Sequence, residues 1–127
     1  MPIPFLKIEG LGNDYLYVEN KAITPKGVDL RRLSRIMSDR RRGAGSDGII
    51  VVERLGPDSA SMRIFNIDGS EAKFCGNGLR GMALFMRAYF KLRGTKFKIM
   101  TSSNMHVMCF ESFGTAIICK FINTNKS

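Results

Sequence analysis

The sequence predicts an α+β fold in which a curved, mostly antiparallel sheet wraps around one buried central helix. The first observation is that short segments rich in β-branched and aromatic residues alternate with turns containing glycine or proline. The second is a single long segment, from Leu79 to about Lys91, that is apolar around nearly its whole circumference. Because only Arg80, Arg87 and Lys91 interrupt its apolar surface, we expect this helix to lie inside the fold.

The strands are predicted from local patterns on both sides of that helix. Two strands, Phe5–Glu9 and Tyr15–Glu19, flank a tight turn that contains two glycines. An amphipathic helix from about Asp29 to Asp39 follows, with apolar residues at helical spacing and arginines on its other face. The remaining predicted strands are Ile49–Glu53, Ser61–Asn66, Lys96–Thr101, Met105–Glu111 and Thr115–Ile122.

Length and composition indicate one domain spanning residues 1–127. The chain has 127 residues, of which 44% are hydrophobic and 24% are charged, a balance typical of a globular protein with one core. No apolar run approaches the roughly 20 residues that a membrane helix needs. The first residues also lack the basic-then-apolar layout of a signal peptide, so we expect a cytoplasmic protein without a membrane partner.

The cysteines, the histidine and the glycine loops all argue against a bound metal or cofactor. Cys75, Cys109 and Cys119 are an odd number of cysteines, which favours reduced thiols over a disulfide framework. A single histidine and the absence of a Cys-x-x-Cys pair leave too few clustered ligands for structural zinc. No glycine-rich segment completes a nucleotide-binding motif. We therefore expect neither a cofactor nor a metal site.

The net charge of +9 leaves a second class of function open. Six arginines crowd one stretch of the sequence: Arg31, Arg32, Arg35, Arg40, Arg41 and Arg42. No aromatic residues are interleaved with them to stack on bases, so a solvated helix face is favoured over a nucleic-acid surface. A basic binding or interaction module without catalysis is the alternative hypothesis.

Cys75 is the most informative position for chemistry. It directly precedes Gly76, Asn77 and the start of the apolar helix, where unpaired backbone N–H groups and the helix dipole favour an anion. A thiol there ionises more readily, and the same amides can hold a carboxylate. Together they fit the removal of a proton alpha to a carboxylate. The alternative is that Cys75 is a small buried apolar residue and that the glycines only shape a turn.

Three asparagines are also consistent with this chemistry. Asn13 and Asn66 each lie where a predicted strand meets a glycine-containing turn, and Asn77 follows Cys75 by two residues. Side-chain amides can hold both the ammonium and the carboxylate of a zwitterion. Each asparagine taken alone is also typical of turn geometry.

Three segments resemble a known family. They are residues 5–15 (FLKIEGLGNDY), 38–48 (SDRRRGAGSDG) and 62–80 (MRIFNIDGSEAKFCGNGLR). In order and spacing they resemble the N-terminal half of the diaminopimelate epimerases, over residues 3 to about 93. Beyond Gly94 the similarity is a general strand pattern.

This resemblance implies a cofactor-independent isomerase that interconverts LL- and meso-diaminopimelate in lysine and peptidoglycan precursor synthesis. The family has two similar halves, each a sheet wrapped on a central helix, with the active site in the cleft between them. The resemblance makes Cys75 one of two catalytic cysteines, gives Asn13 and Asn66 contacts to the substrate, and assigns the substrate's alpha-carboxylate to Gly76 and Asn77.

The resemblance also implies that this chain contains only one of the family's two catalytic cysteines. Inversion at carbon needs a base on one face and an acid on the other. The family's second cysteine lies in a Cys-Gly-Thr/Ser-Gly string, and neither Cys109 nor Cys119 has that context. We expect the chain to be inactive alone and to act with a C-terminal half or as a homo-oligomer. A related isomerase, such as a proline racemase or phenazine-type relative, is the alternative within the same architecture.

Overall fold

The computed structural model describes residues 3–10, 12–24, 27–73, 76–102, 105–113 and 116–123, with side chains as far as Met108. These residues form three helices and eight strands. In chain order the elements are β1 (Leu6–Gly10), β2 (Asn13–Glu19), α1 (Asn20–Ile23), α2 (Leu30–Ser38), β3 (Gly48–Gly56), β4 (Ser59–Asn66), β5 (Glu71–Ala72), α3 (Gly76–Ala88), β6 (Lys96–Met100), β7 (Met105–Phe113) and β8 (Ala116–Asn123).

The described strands join in one mixed sheet with the order β1-β2-β3-β4-β6-β7-β8, and β5 pairs with β4. The pairings of β2 with β3 and of β4 with β6 are parallel. The other pairings are antiparallel. Each parallel pair needs a crossover connection, and the helices supply them: α1 and α2 link β2 to β3, and α3 links β4 to β6.

The helices lie on opposite faces of the sheet. Successive residues of β2 show this, because Tyr15 and Tyr17 pack in the core with α3 whereas Leu16 and Val18 pack in the core with α1 and α2. Both faces of β2 and β3 are therefore covered. The sequence predicted α2 and α3, but neither the short helix α1 nor the parallel pairing that places the helices on two faces.

The amphipathic helix α2 begins and ends within a residue of the predicted bounds. The Asp29 side chain caps it by accepting a hydrogen bond from the Arg31 N–H at 3.1 Å. Leu33 and Ser34 on its inner side are buried. The hydroxyl of Ser34 donates to the carbonyl of Asn66 at 2.6 Å, so α2 is tied to the end of β4.

The helix α3 buries most of its circumference and leaves one stripe exposed. Its largest buried residues are Leu79, Met82, Phe85 and Met86. Arg80, Leu84 and Ala88, four residues apart, are exposed, and Leu84 is 56% exposed. The sequence predicted the arginine in this stripe but expected Leu84 to be covered.

A close approach fixes α3 against β2. The Tyr17 hydroxyl donates to the Gly78 carbonyl at 2.7 Å, and the Tyr17 and Phe85 rings stack with their centroids 5.7 Å apart. Gly81 faces Tyr17 so closely that a Cβ there would lie 2.8 Å from Tyr17 Cζ. A side chain at position 81 would therefore force Tyr17 or the helix to shift.

The ends of α3 differ from the prediction. It begins at Gly76 instead of Leu79, and it stops at Ala88 instead of near Lys91. Lys91 has a φ of 59°, a left-handed conformation that ends a helix, and the Leu92 N–H returns to the Met86 carbonyl at 2.9 Å. None of the helices in the described segments has the length and apolar character needed to span a bilayer.

Candidate functional site

Three strand ends and one helix start lie together at one edge of the sheet. β2 begins at Asn13, the parallel β3 begins at Gly48, and the antiparallel β4 ends at Asn66. Gly48 and Asn66 are direct partners across β3 and β4. The sequence-predicted residues Asn13 and Asn66 therefore lie at the same end of the sheet, on strands separated by β3.

The start of α3 reaches the same edge through a hydrogen bond between two of the predicted residues. Asn77 Nδ2 donates to Asn13 Oδ1 at 2.7 Å, and both side chains are half-buried. This contact joins residues 64 positions apart in the sequence. The structure thus brings together Asn13 and Asn77, and it places Gly76 beside them as the first residue of α3.

The described residues leave space around Gly76 in the first turn of α3. Apart from the chain neighbours of Gly76 and the backbone of its own helix, no described atom lies within 4 Å of a Cβ placed there. Gly48 is the opposite case, because a Cβ at that position would collide with the Phe65 carbonyl oxygen. Cys75, which directly precedes Gly76, lies outside the described residues.

An ion-pair cluster lies behind Asn13. Arg40 binds both oxygens of the Asp14 carboxylate, at 2.9 and 3.2 Å, and it contacts Asp47 Oδ1 at 3.2 Å. Lys7 lies 3.5 Å from the same Asp14 carboxylate. Asn13 Nδ2 donates to the other oxygen of Asp47 at 3.2 Å.

Charges within this cluster balance. The hydrogen bond from Arg40 is the main reason that the pKa of Asp14 falls from 3.8 to about 2, so this carboxylate is ionised at neutral pH. Two carboxylates, Asp14 and Asp47, face two cations, Arg40 and Lys7. Because the cluster has no net charge, it does not repel an anionic group that approaches the start of α3.

Asn66 is held by a separate set of contacts in the loop that follows β4. Its Nδ2 donates to Ser70 Oγ at 3.1 Å, and its backbone N–H donates to the Ser70 carbonyl at 2.7 Å. Ser70 Oγ in turn donates to the Asp68 carboxylate at 2.6 Å. This hydrogen bond is the largest cause of the lowered pKa of Asp68.

A cavity of about 180 Å³ opens between β1, β2 and α3 at this edge. It is lined by Ile8, Glu9, Gly10, Asn13, Tyr15, Tyr17, Asn77, Arg80, Gly81 and Leu84. A larger open groove of about 840 Å³ lies at the opposite end of β2 and β3, near Glu19 and Glu53. The larger groove contains none of the residues predicted from the sequence, so size alone does not identify the site.

Sequence reasoning missed Asp14, Asp47 and the role of Arg40. It treated Arg40 as part of a solvated helix face, but Arg40 follows the end of α2 and is bound to both carboxylates. A signal was present, because Asp14 and Asp47 each directly follow a glycine-containing loop within the segments that carry the family resemblance. The sequence does not show that Asp14 and Asp47 contact each other.

The fold is that of a known class of solved structures. A phenazine biosynthesis protein of the PhzF family from Bacillus anthracis superposes with a TM-score of 0.64 at 18% identity, covering 94% of this chain and 38% of that protein. A PhzF-family protein from Enterococcus faecalis gives a TM-score of 0.65 at 15% identity, covering 86% of this chain and 40% of that protein. The class is thus a mixed α+β fold shared with these proteins.

The sequence defines the family within that class. The family model described as diaminopimelate epimerase matches residues 5–117. The diaminopimelate epimerase of Geobacillus thermodenitrificans is 42% identical over 101 residues, which are 80% of this chain and 35% of that protein. The Methanococcus maripaludis enzyme is 45% identical over 82 residues, 65% of this chain and 29% of that protein. This chain belongs to the diaminopimelate epimerase family, as its sequence motifs predicted.

The chain spans about one third of the length of these curated relatives. The match of the family model also extends beyond Gly94, where the sequence motifs gave only a strand pattern.

Proposed function

We propose that this chain forms the N-terminal half of a diaminopimelate epimerase site, in which Cys75 is one of two thiols that transfer the alpha proton of LL- and meso-diaminopimelate. The hydrogen bond from Asn77 to Asn13 at 2.7 Å is the observation that carries the proposal. It joins the start of α3, which directly follows Cys75 in the sequence, to the glycine turn between β1 and β2. The expected product feeds lysine and peptidoglycan precursor synthesis in the cytoplasm.

The proposed chemistry follows from the position of the thiol in the sequence. Cys75 directly precedes the first turn of α3, where the helix dipole and unpaired N–H groups stabilise a thiolate. The backbone of Gly76 and Asn77 binds the alpha-carboxylate, and Asn13 and Asn66 contact the rest of the amino acid. Holding the carboxylate there presents the alpha proton to the Cys75 thiolate, which removes it.

A second acid must protonate the opposite face of the carbon. The 127 residues contain no Cys-Gly-Thr/Ser-Gly string, so we propose that the second thiol comes from a C-terminal half or from another copy. A single copy of the chain is then inactive as an epimerase. Within this proposal residues 1–127 form one domain whose sheet curves around α3. The core supports this, because β2, β3, β4, β6 and β7 all contribute buried residues to the cluster that contains α3.

Two alternatives are weaker. A related amino-acid racemase with the same architecture is disfavoured by the segment from Asn66 to Cys75, which resembles the diaminopimelate enzymes. A basic binding module rests on the net charge of +9, but Arg40 is bound to two carboxylates and Arg63 to Glu71. Steeply salt-dependent binding to random-sequence nucleic acid would favour the module.

Thiol alkylation tests the proposed site without requiring turnover. Peptide mass spectrometry follows the reaction of iodoacetamide with each cysteine, and Cys109 and Cys119 serve as internal controls. We expect Cys75 to react fastest near neutral pH and meso-diaminopimelate to slow Cys75 alone. An Asn77→Ala variant should lose this protection, whereas the matched Asn20→Ala variant, at the other end of β2, should keep it.

The contrary results are equally clear. Diaminopimelate that protects no cysteine, or all three to the same extent, would contradict the assignment of the substrate to the start of α3. Equal protection by lysine, which lacks the second carboxylate, would argue for a related isomerase with a different substrate.

A further inference from the structure

We propose that Asp47 is a positioning residue of this site: its carboxylate fixes the amide orientation of Asn13 and, through Asn13, the side chain of Asn77. The inference deepens the proposed function and rests on it for the identity of the ligand. The structural part, which concerns the orientation of two amides, stands on contacts among described residues.

An asparagine amide needs such a partner because its two ends have nearly the same shape and opposite hydrogen-bonding roles. An ionised carboxylate only accepts hydrogen bonds, so it distinguishes the two ends. Asp47 Oδ2 accepts from Asn13 Nδ2 at 3.2 Å, which directs Asn13 Oδ1 towards α3. Asn77 must then donate, as it does at 2.7 Å.

Asp47 can act in this way because it is itself held from several directions. Its Oδ2 also accepts from the Asp14 backbone N–H at 2.9 Å, and its Oδ1 accepts from Arg40 at 3.2 Å. Its own backbone N–H donates to the Asp14 carbonyl at 2.8 Å. A main-chain N–H on one carboxylate oxygen, the Arg40 guanidinium on the other and the anchored backbone leave Asp47 little freedom to turn away from Asn13.

The consequence falls on the first turn of α3. Asparagine side chains near a helix start readily accept hydrogen bonds from nearby backbone N–H groups. If Asn77 did so, it would occupy the donors that the substrate carboxylate requires. The hydrogen bond from Asn77 Nδ2 to Asn13 fixes the position of the Asn77 amide, and within this proposal that position holds Asn77 Oδ1 away from those donors.

Charge neutralisation is the second consequence. A carboxylate near the start of α3 would repel an anionic ligand, yet Arg40 contacts both Asp47 and Asp14, and Lys7 contacts Asp14. The cluster can therefore use an ionised carboxylate for orientation without imposing a net negative charge on the site.

The test compares Asp47→Asn with Asp58→Asn, the same substitution at an exposed position in the β3–β4 turn. Nitrogen-15 NMR of the full chain records the side-chain NH₂ signals of Asn13 and Asn77, and calorimetry records binding of meso-diaminopimelate. In Asp47→Asn we expect both NH₂ signals to move towards the positions of solvated amides and the affinity to fall by about tenfold or more. Asp58→Asn should change neither.

The outcomes separate the two proposals. Unchanged Asn13 and Asn77 signals in a folded Asp47→Asn variant would overturn the positioning role, and so would displaced signals with unchanged affinity. Absence of diaminopimelate binding by the unsubstituted chain would overturn the proposed function, while the amide signals would still decide the orientation.

A measurement on the unsubstituted chain covers the case in which Asp47→Asn does not fold. We expect nuclear Overhauser contacts between the side-chain amide protons of Asn77 and Asn13, together with slow exchange of these protons with solvent. Rapid exchange and no such contact would overturn the proposal without any variant.

Discussion

Replacing Gly81 by alanine tests the close approach that positions α3 on the sheet. The new Cβ would meet the Tyr17 hydroxyl and would lie 2.8 Å from Tyr17 Cζ. Tyr17 is 1% exposed, stacks on Phe85 and donates to the Gly78 carbonyl, so it has no free direction in which to move. The helix or the tyrosine must shift, and the start of α3 shifts with it.

The magnitude follows from three opposing contributions. Forcing a methyl group into a filled core costs about 1–3 kcal/mol. Losing the Tyr17–Gly78 hydrogen bond costs about 1 kcal/mol more. The higher helix propensity of alanine returns about 1 kcal/mol. We expect a net loss of about 1–3 kcal/mol in the free energy of unfolding.

Urea denaturation followed by circular dichroism measures this loss. Gly76→Ala is the matched control, because no described atom outside its own helix and chain neighbours lies within 4 Å of its Cβ position, and its stability should change by less than about 0.5 kcal/mol. The double variant Gly81→Ala/Tyr17→Phe removes the hydroxyl that the methyl group meets. It should lose less than the sum of the single variants by about 1 kcal/mol. A Gly81→Ala variant as stable as the unsubstituted chain would refute this account of the packing.

Three further predictions concern the polar contacts. The lowered pKa of Asp14, caused first by its hydrogen bond from Arg40, adds stability that is full above the unfolded pKa near 3.8 and is lost as the pH falls towards about 2. Asp14→Asn should therefore lower the free energy of unfolding by about 1–2 kcal/mol at neutral pH. It should also flatten the acid side of a plot of stability against pH. An unchanged acid side would disprove this source of acid sensitivity. Ser34→Ala removes a fully buried hydroxyl that binds the end of β4. It should lower the free energy of unfolding, measured by chemical denaturation, by about 1–2 kcal/mol. A loss near zero would contradict this prediction. Glu71→Gln breaks an exposed bidentate pair with Arg63 and should cost less than about 1 kcal/mol, with a larger loss showing that the pair matters more than its exposure indicates.

Much of the fold was predictable from local patterns, because the relevant signals are local. The apolar spacing and the capping residue Asp29 mark α2, and glycine turns separate the strands. The short helix α1, with four residues, has too few turns to show a period. The parallel pairing of β2 with β3 was not predictable, because its register depends on how α2 packs across the sheet rather than on either strand alone.

The same distinction applies to the candidate site, where some features were predictable from local motifs and others were not. The predicted residues Asn13, Asn66 and Asn77 stand in recognisable motifs. The contact between Asp47 and Asp14 does not, because it joins residues 33 positions apart and exists only once β2 and β3 are in register. The residues proposed to touch the ligand lie in sequence motifs, whereas the contacts proposed to position them arise only in the tertiary fold.

Deuterium incorporation at the alpha carbon of LL-diaminopimelate in heavy water tests the central claim most directly. The chain would be assayed under reducing conditions alone and as a chimera in which its 101 matched residues replace those of the Geobacillus thermodenitrificans enzyme, each with and without Cys75→Ser. We predict that the chimera converts LL- to deuterated meso-diaminopimelate, that Cys75→Ser abolishes this conversion, and that the monomeric chain does not epimerise. Epimerisation by the monomeric chain, or a chimera that remains active with Cys75→Ser, would contradict the account.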